Sequence, residues 1–299
     1  MEKTAKQKIG NALGIAVVLI PLVIMIIVCF IPFCVLISSS FTANEIVSKG
    51  VVMFPKGFTT LAYRLLFMES SEVLKAYGIT ICVTSLGTVI NMFLCCLIAY
   101  PLSDKEFRWR KPITFFVFFT MLFQVGLIPQ YIVITRMFHL NDTMAILIII
   151  PLLAPGHVLF LMAYFQGVDK AIFESARIDG AREITLLFNI AVPLIVPGLV
   201  TIGFQIIIMY WNDAYTSLYF ADSIIPVALY IQRWQTYVQS LKVAAQGGLF
   251  GLLVGSADDI PDVTVQFALA VFTTIPLIII FLCFQRFYVK GLTAGAVKG

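Results

Sequence analysis

Six long apolar segments constrain the fold of this chain more than any other feature of its sequence. A helix needs about 20 mostly apolar residues to cross the hydrocarbon core of a bilayer. The first segment, Gly14–Ile37, contains no charged residue. The other five are about Tyr77–Leu102, Ile113–Thr135, Thr143–Phe165, Leu194–Leu218 and Thr264–Phe284. The sequence therefore predicts an all-α integral membrane protein with six transmembrane helices, in one transmembrane domain over residues 1–299 whose core spans are about 77–286.

The composition excludes several other classes of protein. Asp, Glu, Lys and Arg make up 12% of the chain and hydrophobic residues 60%. Soluble domains carry about 25% charged residues, so this chain cannot cover a water-facing surface of normal size. Disordered chains and coiled coils are excluded by the same figures. Nucleic acid is not an expected partner, because no basic stripe interleaved with aromatic residues is present.

The basic start of the chain raises the alternative of a cleaved signal peptide. Lys3, Lys6 and Lys8 precede the first apolar segment. That segment is 24 residues long, whereas the apolar part of a signal peptide has about 7–15 residues. The length favours an uncleaved first transmembrane helix.

The distribution of Lys and Arg predicts the orientation in the membrane. With the N-terminus in the cytoplasm and six alternating spans, thirteen of the 20 Lys and Arg residues lie inside. The short loop Ser103–Pro112 alone holds four of them. Because cytoplasmic loops are enriched in Lys and Arg, both termini are predicted to be cytoplasmic. The long connections at residues 38–76 and 219–263 then lie outside.

The six cysteines lie in apolar runs and form no Cys-x-x-Cys pair. The pattern is typical of free, buried thiols, and neither a disulfide framework nor a metal site is expected. His157 is interpreted as a packed residue of the fourth segment in preference to a proton relay, since no carboxylate accompanies it on that segment. Pro151, Pro155 and Pro276 are predicted to kink their helices.

The segment Gln166–Pro193 differs from the other connections because it reads as two short amphipathic helices broken at Gly180. Asp169 is the predicted N-cap of the first helix, and Gly180 is predicted to end it at positive φ. Pro193 restricts Val192 and is predicted to mark the entry into the fifth span. The predicted apolar stripes are Ile172, Phe173 and Ala176, and then Ile184, Leu187 and Phe188. Periodicity alone fits a protein partner and the lipid surface equally well.

The residues of this segment carry a family resemblance. Glu174-Ser175-Ala176, with Gly180 four positions later and Ile190-Ala191-Val192-Pro193 beyond it, resembles the EAA loop of ABC importer permeases. The spacing matches in full. Ser175 replaces an Ala and Val192 a Leu, and both changes preserve size and helix character. Asp179-Gly180-Ala181 is the form usual in carbohydrate permeases.

Three further stretches extend the resemblance over nearly the whole chain. Trp211-Asn212-Asp213 is similar to a triplet near the outer end of span five in those permeases, and Gly291–Gly299 resembles the terminus of the second permease subunit of maltose-type systems. Phe123–Pro129 looks like a variant from permeases for complex oligosaccharides. The resemblance implies the type I ABC importer permease fold in the cell membrane and the import of an oligosaccharide.

The resemblance also implies roles and partners. The EAA loop would dock on a cytoplasmic ATPase dimer, with Glu174 as the main polar contact and Gly180 as the turn. The remaining expected coupling residues are Ser175, Ala176, Asp179, Ile190 and Pro193. A tail including Gly291, Thr293, Gly295 and Lys298 would reach toward the ATPase. A second, non-identical permease subunit and an extracellular sugar-binding protein complete the expected assembly. The chain has no Walker A motif, so no bound nucleotide cofactor and no enzymatic activity are expected.

Polar residues inside the spans are candidates for a translocation path, because polar groups facing lipid are costly. They are Asn91, Gln124, Gln205, Tyr210, Trp211, Asn212 and Asp213. The alternative is hydrogen bonding between helices that packs the bundle. For Trp211–Asp213, direct sugar contact and a place in the interfacial aromatic belt are both open.

The second outer connection contains an apolar, glycine-rich run. Its first residues are Gly247, Gly248, Leu249, Phe250 and Gly251. Exposed apolar patches usually mark a binding surface, so the run is interpreted as a contact for the sugar-binding protein. The alternative is that it folds back onto the spans or dips into lipid.

Two rival functions remain open from the sequence. One is an ABC permease for a non-sugar solute, against which Asp179-Gly180-Ala181 and the terminal motif argue. The other is an ion-coupled secondary carrier. Such carriers usually contain inverted repeats, and the two halves of this sequence are not similar to each other.

Overall fold

A computed structural model describes residues 2–68, 70–123, 125–246 and 262–296. These residues are helical apart from their connections, and within them the only β-type pairing is an isolated antiparallel bridge between Thr42 and Phe58. The helices are α1 (Glu2–Ser40), α2 (Asn44–Val47), α3 (Leu61–Met68), α4 (Ser70–Ser103), α5 (Arg110–Leu122), α6 (Leu127–Ile132), α7 (Met144–Ile149), α8 (Pro155–Gln166), α9 (Lys170–Ile178), α10 (Glu183–Thr185), α11 (Val192–Leu194), α12 (Val196–Trp211), α13 (Tyr215–Phe220), α14 (Val227–Gln246) and α15 (Asp262–Ala296). Two π-helical turns, Val133–Met137 and Leu186–Ala191, follow α6 and α10.

Three of the described helices are long and apolar enough to cross a bilayer without a break. They are Val17–Ser40, Ser71–Ser103 and Val263–Gln285, which match the predicted first, second and sixth segments. Two bent pairs raise the number to five if each pair is one span, and they cover the predicted third and fifth segments. The all-α membrane fold is thereby confirmed, while the count of six and the cytoplasmic termini stay predictions.

The predicted fourth segment is interrupted rather than continuous. α7 ends at Ile149 and α8 begins at Pro155. The interruption has a chemical reason, since Pro155 has no N–H to donate to the carbonyl of Pro151. The expectation of a kink at these prolines is therefore exceeded by a full break. Pro276, in contrast, lies inside α15, which continues through it.

The described residues form two compact units. The first consists of residues from Met1–Ser70 and Trp234–Thr274. In it, the apolar side chains of α1 from Val17 to Phe30 are all exposed, which suits contact with lipid or with another apolar surface. The polar end of α1 is buried, and Asn44 accepts hydrogen bonds from the backbone N–H groups of Val263 and Thr264 at 3.2 and 3.3 Å. Asn44 therefore caps the start of α15.

The second unit consists of residues from Ser71–Arg233 and Ile275–Gly299. Its core is built by α4, α7, α8, α12, α13 and the turns after α10. Fully buried members include Cys95, Ile146, Leu161, Ile202, Ile206 and Phe220. Glycines allow the helices to approach closely, because a Cβ at Gly198 would lie 2.5 Å from the ring of Tyr164. This unit holds the candidate coupling loop and most of the candidate path residues.

Candidate functional site

The first helix of the candidate coupling loop is α9, which begins where the sequence predicts. Asp169 adopts an extended conformation, and its carboxylate accepts a hydrogen bond of 3.0 Å from the backbone N–H of Ala171. This contact satisfies one of the N–H groups that a helix start leaves without an intrahelical partner. The N-cap prediction is confirmed.

The C-terminus of α9 is closed by a Schellman motif around Gly180. The backbone N–H of Ala181 donates to the carbonyl of Ala176 at 3.0 Å, and the N–H of Gly180 donates to that of Arg177 at 3.0 Å. Gly180 has φ +83°, a conformation that a side chain disfavours. The prediction of a glycine at positive φ is confirmed, and α9 is a helix with both ends satisfied.

The side chains expected to dock on an ATPase lie mostly on the outer surface of the loop. Glu174, Ser175 and Asp179 are exposed, and Ala176 is half-buried. Ile178 is 86% exposed. The loop therefore presents carboxylates beside an unburied apolar side chain, which is the mixed chemistry of a protein-binding surface.

The second predicted apolar stripe is only partly correct. Leu187 is buried and Phe188 is half-buried, with the ring of Phe188 stacked on Phe93 at 5.8 Å. Ile184 is 72% exposed and does not belong to the buried face. Ile184 lies in the short helix α10, and the π-helical turn Leu186–Ala191 that follows departs from the regular helical spacing that the stripe assumes. Ile172 of the first stripe is also exposed, at 40%.

The entry into the fifth span lies later than Pro193. Val192 is helical, with φ −57° and ψ −48°, and Pro193 is the second residue of α11. The chain bends by 86° between residues Glu183–Leu194 and Val196–Trp211, with Ile195 between them at φ −103° and ψ 18°. Ile195, and not Val192, is the non-helical residue at the entry to the span: it is the N-cap of α12, whose second residue is Pro197. Ile190 is half-buried and Pro193 exposed.

Contacts that the sequence did not indicate attach the coupling loop to the end of α4. The hydroxyl of Tyr100 donates to Glu183 Oε2 at 3.4 Å, and Glu183 Oε1 accepts from Arg177 Nε at 3.1 Å. This bond to Glu183 raises the pKa of the Arg177 guanidinium further. Lys170 and Glu106 form a further ion pair at 3.6 Å. Tyr100 and Glu183 are 83 positions apart, so no local pattern marks them.

The structure brings two candidate path residues, Asn91 and Tyr210, together as structural groups. Asn91 is fully buried and its Nδ2 donates to the carbonyl of Pro151 at 3.2 Å. The Tyr210 hydroxyl donates to the carbonyl of Ile148 at 2.9 Å, three residues before the carbonyl that Asn91 binds. These contacts match the alternative of hydrogen bonds between helices that pack the bundle.

The cluster Trp211–Asp213 also has local partners. Trp211 is buried with its ring edge-on to Tyr77 at 6.2 Å. Asn212 Nδ2 donates to the carbonyl of Ile208 at 3.0 Å, and Asp213 Oδ1 accepts from the N–H of Thr216 at 3.0 Å. Asp213 therefore satisfies an N–H in the first turn of α13, which begins at Tyr215. The preceding helix, α12, ends at Trp211 instead of continuing to Leu218 as the sequence predicts.

The remaining expected site residues are placed as follows. Gln205 is exposed on α12. Gly291, Thr293 and Gly295 belong to the last turns of α15. Gln124, Lys298 and the run Gly247, Gly248, Leu249, Phe250 and Gly251 lie outside the described residues.

The structure describes all six cysteines and His157. All six cysteines are free, and Cys95 and Cys96 are buried, whereas Cys29 and Cys283 are exposed on apolar helices, contrary to the expectation of burial for all six. His157 is half-buried in α8. Over the part of the chain that is described, no three His, Cys, Asp or Glu side chains come close enough to hold a metal ion.

Comparisons with known proteins identify relatives over almost the full length. No family model matches the chain. It is 32% identical to the polygalacturonan/rhamnogalacturonan transport system permease protein YtcP of Bacillus subtilis, over 93% of this chain and 96% of YtcP. It is 30% identical to the trehalose/maltose transport system permease protein MalG of Thermococcus litoralis, over 93% and 94%. A crystal structure of a bacterial ABC transporter that imports the acidic polysaccharide alginate contains a chain with the same fold, with a TM-score of 0.69 at 24% identity over 93% of this chain and 97% of that chain.

Proposed function

This chain belongs to the permease subunits of carbohydrate ABC importers, and we propose from that premise that it passes an oligosaccharide across the cell membrane by alternating access. The family places the chain in the membrane as a transport subunit and implies an ATPase and a binding protein as partners. Family membership decides against the ion-coupled carrier. The observation that supports the proposal most directly is the exposed, doubly capped helix α9.

The coupling role of α9 follows from its geometry. A short isolated helix is unstable in water, yet α9 has an N-cap at Asp169 and a Schellman motif at Gly180. Its exposed Glu174 can pair with a basic group on the ATPase, and the exposed Ile178 can enter an apolar groove. ATP-driven closure of the ATPase dimer would move this helix, and the spans would follow.

The proposed assembly contains a second, non-identical permease subunit beside the ATPase dimer and the sugar-binding protein. The run from Gly247 to Gly251 would contact the binding protein, and the residues from Gly291 to Lys298 would approach the ATPase. Both assignments rest on the sequence resemblance. The apolar face of α1, exposed from Val17 to Phe30, is available to lipid and to the second permease.

The proposed path has fewer members than the sequence suggested. Asn91, Tyr210 and Trp211 are buried and engaged in packing. Gln205 and Asn212 are exposed, so they remain the better candidates for a polar lining, together with Gln124. An oligosaccharide fits the relatives, which include permeases for polygalacturonan and for trehalose and maltose.

The experiment is import into vesicles containing the complete transporter. The chain is co-produced with its partner subunits, and uptake of four probes is measured: trigalacturonate, arabinotriose, raffinose and maltotriose. We expect one class of these to be imported only with Mg-ATP and the binding protein. Glu174→Arg should abolish import and reduce co-purification of the ATPase, because it reverses the charge on the docking surface.

The matched control is Glu72→Arg, which reverses an exposed carboxylate on α4 that pairs with Lys75 at 3.4 Å. It should leave import unchanged. Wild-type import by the Glu174→Arg complex would refute the coupling role. ATP-independent uptake driven by an ion gradient would refute the importer mechanism itself.

A further inference from the structure

Tyr100 lies in the last turns of α4, where three other elements of the second unit meet its side chain. Its ring is edge-on to Phe165 at the end of α8, with centroids 5.6 Å apart and planes at 75°. It is also edge-on to Phe173 of α9, at 6.0 Å and 65°. Edge-to-face aromatic pairs of this kind stabilise packing beyond the area that they bury. The coupling helix is thus packed directly on the end of a predicted span.

The hydroxyl of Tyr100 extends the contact to the other arm of the coupling loop. It donates to Glu183 Oε2 at 3.4 Å, and the second oxygen of Glu183 accepts from Arg177 of α9 at 3.1 Å. One tyrosine therefore contacts residues before and after the turn at Gly180. A displacement of the residues on either side of Gly180 therefore changes the surroundings of the Tyr100 side chain.

The two ion pairs of the coupling loop do not by themselves explain its attachment to α4. The side chains of Arg177 and Glu183 are 44% and 64% exposed, and those of Lys170 and Glu106 are 56% and 86% exposed. Exposed ion pairs contribute little because solvent screens them. The aromatic contacts are less exposed, since Phe165 is buried and Phe173 and Tyr100 are half-buried. The packing of the Tyr100 ring is therefore the stronger of the two connections.

We propose that Tyr100 is the positioning residue through which movement of the coupling helix α9 reaches the transmembrane helix α4. This inference rests on the proposed function, because it assumes that α9 is the element moved by the ATPase. In this role Tyr100 acts through Phe173 and Glu183 and touches neither ATP nor sugar. Without it, the ATPase would still bind α9 and hydrolyse ATP, but less of the motion would reach the path.

Three variants separate the parts of the contact. Tyr100→Phe keeps the ring and removes only the hydroxyl. Glu183→Gln keeps an acceptor for Tyr100 and removes the charge that pairs with Arg177. Tyr100→Ala removes the ring and the hydroxyl together. Tyr63→Phe is the matched control, since it deletes another tyrosine hydroxyl that donates a hydrogen bond, to Ser40 Oγ at 2.9 Å in the first unit.

The experiment measures two quantities in the complete transporter in vesicles. The first is the number of sugars imported per ATP hydrolysed, with the probe from the four-sugar panel that the wild type imports. We expect a fall of about two- to fivefold for Tyr100→Phe, as for loss of one hydrogen bond, and more than about tenfold for Tyr100→Ala. The number of sugars imported per ATP should be at least as high in Glu183→Gln as in Tyr100→Phe. In Tyr63→Phe it should match the wild type.

The second quantity is hydrogen–deuterium exchange of the backbone amides of Lys170–Ile178. Exchange should be at least about tenfold faster in Tyr100→Ala, because the packing that restricts opening of the helix is lost. Co-purification of the ATPase should remain at the wild-type level. An unchanged ratio of sugar to ATP in Tyr100→Ala would overturn the inference, and so would unchanged exchange in the coupling helix.

The two measurements keep this inference apart from the proposed function. If the wild type imports none of the four probes, the oligosaccharide proposal fails on that panel, and exchange of the α9 amides then decides the role of Tyr100 by itself. If import is normal in the wild type and the ratio is also normal in Tyr100→Ala, the proposed function stands and the positioning role fails. Loss of ATPase association in Tyr100→Ala would also overturn it, because the side chain would then be needed for docking.

Discussion

The hydroxyl of Tyr210 donates a hydrogen bond of 2.9 Å to the backbone carbonyl of Ile148, which lies just before the break between α7 and α8. In a continuous helix that carbonyl would accept from Leu152, whose N–H instead donates to Ile149 at 3.2 Å. The carbonyl of Pro151 cannot receive a bond from Pro155, and Asn91 donates to it at 3.2 Å. Side chains from α12 and α4 thus replace the hydrogen bonds that the break removes, as is needed inside a membrane.

Tyr210→Phe should lower the free energy of unfolding by about 1–3 kcal/mol, because the carbonyl of Ile148 loses its partner in an apolar environment. The measurement is denaturation of the purified chain in detergent. Tyr219→Phe is the control, since Tyr219 is exposed. Equal stability of the two variants would contradict the capping role of Tyr210.

Gly87 and Tyr210 provide a second prediction. A Cβ at Gly87 would lie 2.6 Å from the Tyr210 ring, whereas one at Gly78 on the same helix would meet nothing within 4 Å. Gly87→Ala should therefore destabilise the chain by about 1–3 kcal/mol through overpacking. Gly78→Ala should be neutral or stabilise by up to about 1 kcal/mol, since Ala favours the helix. Thermal denaturation of both variants gives the comparison, and a stable Gly87→Ala protein would show that the ring can move aside.

Local features of the coupling loop could be predicted from the sequence because they depend on residues within one or two turns. Asp169 as the N-cap and Gly180 at positive φ are of this kind. The bend at Ile195 and the π-helical turn Leu186–Ala191 could not be predicted, since no local pattern in the sequence marks either departure from regular helix. Asn91 and Tyr210 are path candidates by sequence because they are polar and lie inside apolar segments, whereas the partners that they bind are 60 and 62 positions away. Both partners are backbone carbonyls, which no pattern of side-chain types in the sequence can indicate.

Gly180 leads to a third prediction, which separates backbone conformation from side-chain space. A Cβ at Gly180 would meet nothing within 4 Å, so only the positive φ penalises a substitution. Gly180→Ala should destabilise the turn by about 1–2 kcal/mol, and Gly180→Asn by less, because Asn tolerates this conformation. Import should decrease in the order Gly, Asn, Ala and Pro.

Gly180→Pro should abolish import while the chain still reaches the membrane. Proline fixes φ near −65° and removes the N–H that donates to Arg177. Vesicle uptake and co-purification of the ATPase are measured for all four chains. Equal import by the Asn and Ala variants would mean that the left-handed turn is not required for coupling.

Two contacts between loops bear on the orientation of the chain in the membrane. Asp142 accepts hydrogen bonds from the backbone N–H and the hydroxyl of Ser223, at 2.9 and 2.8 Å. These bonds, the backbone N–H first, hold the pKa of Asp142 below its usual value. Lys170 and Glu106 join the other pair of loops at 3.6 Å. In the six-span prediction the first pair lies outside and the second lies in the cytoplasm, so each contact joins loops on the same side.

The fourth prediction tests that arrangement by labelling in intact cells, after the six native cysteines have been removed. Asp222→Cys should react with a membrane-impermeant maleimide, and Lys105→Cys should react only after the cells are opened. Both positions are exposed, so a difference in labelling reports the side of the membrane rather than burial. At neutral pH Asp142 is ionised, because the pKa of this already acidic carboxyl group is lowered further. Its contact with Ser223 is therefore intact under the conditions of labelling. Labelling of Lys105→Cys from outside, with Asp222→Cys protected, would reverse the orientation and place α9 on the wrong side for an ATPase.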